Sequence, residues 1–374
     1  MKKKLIKREF LMSLNECLGI TTPAVSAGGN GSPGEIDGPE TARAGILSVI
    51  IPAYNVSAWI ERCVESIEGQ GDVVKEIIVV NDGSEDRTED VVRRLQDRYE
   101  NITLINQNNQ GLFYARIHGV CQALGDYVTF VDADDYIESD TYRKILPVMI
   151  EKQADILEFG VRKVKDGNVL YEFIPKSSQC NGDEAIRRML ERDGSICSNW
   201  NKIYRNALFL NSKFDENIRM YEEDKLINVK VMARAKQVIS IPLAGYVYET
   251  REESITTKAM TKDYLSVLDS NREIYRFIKK EKPSLSKIAG RDFCARLVFC
   301  FISLREMGLK QHEISVIKKE LKKEFRLIYK REKTGSYRPE SESKNRTYML
   351  SLFRLSPAMA EMIYRMGRYF RLLR

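Results

Sequence analysis

The chain has 374 residues, enough for one large domain with a sizeable core and a smaller addition; 43% hydrophobic and 30% charged residues is ordinary globular composition, and a net charge of +7 permits an anionic partner without requiring one. Only two histidines, His118 and His312, are present, which excludes chemistry built on several histidine ligands and leaves acid–base work to carboxylates. The seven cysteines are scattered with no CxxC pair, which argues against a zinc site or a disulfide framework and for a reducing compartment.

The first residues mimic a secretory signal, but Glu9, Asn15 and Glu16 interrupt the apolar stretch such a signal needs, and no apolar run spans a bilayer, so a cytoplasmic protein is expected. Residues 21–45 are rich in Gly, Pro, Ser, Thr and Ala, so residues 1–45 are expected to be a flexible leader. Order is expected near Ile46. ILSVII (46–51) reads as a buried strand, and Ser57 is placed to cap a helix running to about Gly69. KEIIVV (75–80), ITLI (102–105) and YVTFV (127–131) read as further strands. Helices are expected over 88–99, 112–124 and 139–150. This alternation predicts an α/β fold with a doubly wound, parallel sheet, whose ligands bind at the carboxyl ends of the strands. Beyond it, ADILEFGV (154–161) and NVLYEFI (168–174) predict a hairpin around Asp166-Gly167. From 261 onward the pattern is helical.

Three loops share the predicted rim. PAYN (52–55) has no glycine-rich cradle for phosphates, so a metal ion is the expected alternative. NDGSEDRT (81–88), taken alone, reads as a turn with a helix cap; its functional reading is that Asp82 accepts hydrogen bonds from a nucleobase edge. The third loop follows the fourth strand with Asp132, Asp134 and Asp135. Crowded carboxylates raise one another's pKa, and a hard divalent cation bridging diphosphate oxygens removes that repulsion.

ILSVIIPAYN, EIIVVNDGSEDRT and NQGLFYARIHGVCQALGDYVTFVDADD together resemble glycosyltransferase family 2, over about residues 46–255. The resemblance implies a GT-A (Rossmann-like), mostly parallel sheet flanked by helices, followed by a helical C-terminal region over 256–374. It also implies that Pro52, Tyr54, Asn55 and Arg116 lie at the nucleotide and that Asp82 reads the base. Asp132 would face the donor ribose or sugar, and Asp134 would bind Mn²⁺ or Mg²⁺. His118 stands where relatives often carry Asn. YEEDKLINVKV (221–231) is similar to the family's Glu-Asp motif, which makes Asp224 the general base and places Glu223 on the acceptor side. Without the resemblance, Glu222, Glu223 and Asp224 are simply acidic residues suited to the first turn of a helix. Trp200, in NWNKIYRNALF, is either a sugar-stacking residue or a core tryptophan. Arg251, in YETREESIT, matches a loop that closes near the diphosphate.

The implied activity is inverting transfer from a nucleotide diphosphosugar, expected to be UDP-linked, to a saccharide or lipid-linked saccharide in cell-surface polysaccharide synthesis. The alternative is a non-catalytic nucleotide-sugar-binding protein of the same fold. Nucleic acid is not an expected partner, since no zinc motif, basic zipper or RNP-like pattern occurs. Over 345–374, basic residues accompany Met359, Ile363, Met366, Phe370 and Leu373 at helical spacing. Such a segment reads equally as an interfacial helix on an anionic membrane, making the protein peripheral on the inner face of the plasma membrane, or as a docked helix with a solvated basic face.

Overall fold

The structure is a computed structural model, and it describes residues 45–210, 212, 214, 221–251, 260–336 and 344–372. The expected leader lies almost wholly outside them. Among the described residues, ten strands form one sheet. Its first half contains β1 (Leu47–Ala53), β2 (Val74–Asn81), β3 (Ile102–Asn106) and β4 (Tyr127–Phe130) in the order β3-β2-β1-β4, with all pairs parallel. Helices Ile60–Glu68, Thr88–Gln96 and Leu112–Gln122 connect them.

The second half is mixed. The order continues from β4 through β9 (Lys202–Arg205), β6 (Ile156–Lys165) and β10 (Val238–Glu249) to the short β5 (Tyr136–Ile137). β9 runs antiparallel to both β4 and β6, while β6 and β10 are parallel. The predicted hairpin is present: β7 (Asn168–Phe173) pairs antiparallel with β6. Its turn residues, Asp166 (φ 49°) and Gly167 (φ 76°), both adopt positive φ, as a two-residue hairpin with the strands' natural twist requires.

Strand periodicity sorts the apolar residues onto the two sheet faces. Ile50, Ile78, Val80, Val128 and Phe130 enter one core; Val49, Ile51, Ile77, Val79 and Val131 enter the other. Both faces are covered, which is why these strands read as unbroken apolar runs. The first core extends without interruption through Leu226 and Ile227 into Val267, Phe293, Phe325 and Phe353 of the C-terminal helices.

Two local expectations are corrected. The first helix begins at Ile60 with no side-chain cap, and Ser57 instead lies in the preceding turn, its N–H donating to Asp86 at 3.0 Å. A tertiary partner 29 residues away outcompetes the local cap. The C-terminal segment forms two helices, Lys344–Leu355 and Pro357–Leu372, because Pro357 opens a second helix while lacking the N–H to continue the first. The expected apolar stripe is divided. Ile363 packs toward the core beside the buried Ala360, whereas Met359, Met362 and Met366 are about half exposed, at 49%, 54% and 51%. Leu373 lies outside the described residues.

Candidate functional site

The parallel register brings β1, β2 and β4 to a common end: Pro52 pairs with Val80 and Ile50 with Phe130, while the Asp82 N–H reaches the Ala53 carbonyl at 2.8 Å. The three rim loops are therefore adjacent, as expected. Pro52 is buried in β1, and Tyr54 stands 48% exposed at the rim. Asn55 has φ 53°, a region in which asparagine is favoured over most residues. Its N–H donates to Ser84 Oγ at 3.0 Å and its Oδ1 accepts the Glu85 N–H at 2.8 Å. Asn55 thus ties the first loop to the second.

Asp82 is buried, and three donors of its own chain reach it. These are Gln107 Nε2 at 2.7 Å, the Gln110 N–H at 2.8 Å and the Gly111 N–H at 2.7 Å. Asp82 therefore fixes the loop leading into helix Leu112–Gln122, which carries Arg116. Each carboxylate oxygen accepts two bonds, so capacity for an outside donor remains. His118, on that helix, meets Gln107 of the same loop across 2.8 Å.

The acidic trio divides. Asp132 accepts from Arg116 Nη2 at 2.8 Å. Asp134 pairs with Arg251 Nη1 at 3.1 Å, and the Arg251 guanidinium lies 3.9 Å from the centre of the Trp59 ring. Asp135 turns inward, only 1% exposed, and accepts the Tyr246 hydroxyl at 2.7 Å and the Glu249 N–H at 2.9 Å. Two of the three carboxylates thus face the cleft, and the third braces β10. Burial and the neighbouring Asp132 raise the Asp134 carboxyl, against the pull of Arg251. Among the described residues no group of three His, Cys, Asp or Glu side chains could hold a metal by itself.

Helix Glu223–Met232 brings the second acidic pair to the same place. Arg116, 1% exposed, reaches Glu223 Oε1 at 3.0 Å through Nη1, and the same nitrogen bonds Asp224 Oδ1. One guanidinium on helix Leu112–Gln122 thus joins the aspartate after β4 to the acid pair about a hundred residues further on. Burial opposes the Arg116 charge, but Asp224, Asp132 and Glu223 together hold its pKa above the usual arginine value. Burial raises both acids. Glu223 is pushed further by Asp224, and both are held back in part by Arg116.

Several residues that sequence reasoning missed complete the site. Asn199 Nδ2 donates to Asp224 Oδ1 at 3.0 Å, and Asn228 Nδ2 donates to Asn199 Oδ1 at 2.7 Å. The Tyr204 hydroxyl donates to Asn228 Oδ1 at 2.9 Å, so the carboxylate is oriented through a chain of buried polar groups. The NWNK stretch carries a local signal for this chain, and the residue in it that reaches Asp224 is Asn199, not Trp200. Trp200 is partly buried, with one face stacked on Tyr246 at 4.2 Å. That Tyr246 accepts the Asp132 N–H at 3.2 Å. Trp200 therefore stands beside the acidic loop with an aromatic partner already on one face.

A sheet parallel at one end and mixed at the other, with an Asp-x-Asp loop at the carboxyl end of β4 facing a helix-borne Glu-Asp pair, defines a GT-A fold. Residues 48–211 match the family model described as glycosyl transferase family 2. The matched segment ends before Glu223, Asp224 and Arg251. Among curated relatives, an uncharacterised glycosyltransferase of Bacillus subtilis, EpsJ, is 32% identical over 219 residues, covering 56% of this chain and 63% of the relative. A GalNAc(5)-diNAcBac-PP-undecaprenol β-1,3-glucosyltransferase of Campylobacter jejuni is 30% identical over 186 residues, covering 49% of this chain and 59% of the relative. The crystal structure of Staphylococcus aureus TarS 1–349 in complex with UDP-GlcNAc superposes with a TM-score of 0.64 at 22% identity, covering 86% of this chain and 92% of that one. That likeness shows the fold. The chain spans less than two thirds of the length of these curated relatives.

Proposed function

We propose that the protein is an inverting glycosyltransferase that moves a sugar from a UDP-linked nucleotide sugar to a hydroxyl of a saccharide or lipid-linked saccharide in cell-surface polysaccharide synthesis. The observation that carries this reading is the Arg116 junction, which holds the donor-side Asp132 and the acidic pair Glu223–Asp224 in one cleft. The structural neighbour TarS with UDP-GlcNAc bound, and relatives named for poly(ribitol-phosphate) and for an undecaprenol-linked saccharide, support the donor and acceptor classes.

In this reading Asp224 removes the proton of the acceptor hydroxyl. The acceptor oxygen forms a bond to the anomeric carbon from the face opposite the diphosphate, and the carbon–oxygen bond to the diphosphate breaks with its electron pair leaving on the nucleotide. A carboxyl raised by burial is a stronger base than an exposed one, and the Asn199 bond fixes its direction. Asp134, with its partly exposed carboxylate, fits a single protein ligand for Mn²⁺ or Mg²⁺, ions that complete their shells with substrate phosphates. When bound, such an ion neutralises charge on the leaving diphosphate. Arg251, already at Asp134, is placed to exchange that carboxylate for a phosphate oxygen. Asp82 retains acceptor capacity for a base N–H, and Tyr54 offers an exposed ring beside it.

The test is a panel of UDP- and GDP-sugars with and without Mn²⁺, run on the wild type and on Asp224→Asn. Turnover is expected to fall about 10²–10⁴-fold in the variant, with UDP affinity nearly unchanged. Retained turnover removes Asp224 from the role, and absence of turnover in the wild type with every donor favours a non-catalytic binder. Contact with an anionic membrane is supported by the exposed Met359, Met362 and Met366. It is further supported by a groove of about 860 Å³ along helix Gln311–Arg331, lined by Lys318, Lys319, Lys322, Lys323, Arg326 and Lys330. Among the described residues no helix is long and apolar enough to cross a membrane.

A further inference from the structure

Arg116 and Asn199 hold the Glu223–Asp224 pair from the sheet side. The residues on either flank of the pair are held by helices beyond residue 260. Ahead of it, the Tyr221 carbonyl accepts the Ser270 hydroxyl at 2.9 Å. Glu222 Oε2 accepts the Asn271 amide at 2.6 Å, and Glu222 also pairs with Arg296. Behind the pair, Lys225 is buried, with its ammonium donating to Asn271 Oδ1 at 2.9 Å and to Asp292 Oδ2. Asp292 Oδ1 in turn accepts from Arg346 Nη2 at 2.7 Å. Two helices thus grip Tyr221, Glu222 and Lys225, Val267–Glu281 through Ser270 and Asn271 and Ser286–Ser303 through Asp292 and Arg296, and a third, Lys344–Leu355, braces Asp292 through Arg346.

The backbone shows why a clamp is needed there. Glu222 has φ 60° and ψ 28°, left-handed values that a side-chain-bearing residue adopts only when its surroundings impose them. That turn sets the direction in which Glu223 and Asp224 enter the helix. A one-residue relaxation would swing the Asp224 carboxylate away from Asn199 and the cleft. The bonds from Asn271 and Arg296 hold the turn from one side, and the Lys225–Asp292–Arg346 chain holds the following residue from the other. Burial disfavours the Asp292 charge, yet Lys225 and Arg346 hold its carboxyl below the ordinary range, so it stays ionised as the centre of the chain.

We propose that Asp292 is a positioning residue for Asp224, acting through Lys225 with Arg346 as its second counter-charge, so that the C-terminal helices form part of the active site. This inference rests on the transferase reading for the role of Asp224, but the clamp itself is a matter of geometry.

The test uses the full chain with Asp292→Asn, and with Arg346→Gln as a second, more peripheral variant. Hydrogen exchange read by mass spectrometry is expected to be at least about tenfold faster in peptides covering 221–232 in both variants, while peptides over β2 keep wild-type rates. In the same preparations, UDP release from UDP-GlcNAc is expected to fall about 100-fold, the scale of a misplaced reacting group, with UDP affinity within about twofold of wild type. Asp292→Glu is expected to recover part of both losses. Wild-type exchange at 221–232 in both variants, or exchange rising equally in β2, overturns the proposal. If the wild type turns over no nucleotide sugar, the transferase reading falls, and the exchange measurement alone decides the clamp.

Discussion

Replacing Arg116 by methionine removes the guanidinium that pairs with Asp132, Glu223 and Asp224 while roughly keeping the side-chain volume. Arg116 is 1% exposed and meets Asp132 at 2.8 Å and Glu223 at 3.0 Å, so its loss leaves three carboxylates facing one another, Glu223 buried and the other two only partly exposed. Removing one partner from a buried ion pair costs about 3–5 kcal/mol. Part of that is relieved by protonation, which gives the penalty a pH dependence of definite sign. Burial and the neighbouring Asp224 already raise the Glu223 carboxyl, burial raises Asp224, and without Arg116 this pair rises further. A carboxyl whose pKa is higher in the fold than in the unfolded chain binds extra protons in the fold between those two values. Stability therefore falls as pH rises through that window, by about 1.4 kcal/mol per pH unit for each extra proton. Urea unfolding of Arg116→Met is expected to show the full penalty of about 3–5 kcal/mol at pH 8 and at least about 1 kcal/mol less at pH 5. A penalty below about 1 kcal/mol at pH 8, or an equal penalty at both values, would refute the idea that Arg116 is the electrostatic centre of the cleft.

Asp134→Ala is expected to abolish any enhancement of UDP affinity by Mn²⁺ while leaving metal-free affinity within about threefold, as read by calorimetry; unchanged enhancement would take Asp134 out of the metal role. At Gly182, an added Cβ would stand 1.8 Å from the Met232 carbonyl oxygen at the end of the helix that carries Asp224. Gly182→Ala should cost about 1–3 kcal/mol in urea unfolding, and a wild-type midpoint would contradict that packing. Joint replacement of Met359, Met362 and Met366 by serine should reduce flotation with anionic vesicles while the fold and its cooperative thermal transition persist, since all three are about half exposed. Deleting the tail would be a poorer test, because Phe353 and Ala360 are buried in the core. Undiminished flotation of the triple variant would end the membrane reading.

Much of the sheet domain was determined by local pattern. The runs at 46–51, 75–80 and 127–131 became β1, β2 and β4 because both faces of a covered parallel sheet demand apolar residues at every position. Asp166-Gly167 became the hairpin turn because few other pairs tolerate positive φ at two consecutive positions. The rim position of Pro52, Tyr54, Asn55, Asp82, Asp132 and Asp134 followed from the rule that parallel strands end together. These are short-range properties, and a single sequence carries them.

What only the tertiary structure decided is which charged and polar groups meet. Asp135 stands next to Asp134 in the chain, yet it turns inward to Tyr246, 111 residues away. Asp82 carries the loop at 107–111, Ser57 gives its N–H to Asp86, and Asn199 rather than Trp200 reaches Asp224. The Arg116 junction and the Lys225–Asp292–Arg346 chain join segments that nothing in the local sequence relates. A hydrogen bond is chosen by distance and angle over a few ångströms, and those are settled only when distant segments have packed against one another; a pattern of residue types can supply the candidates but not the pairing.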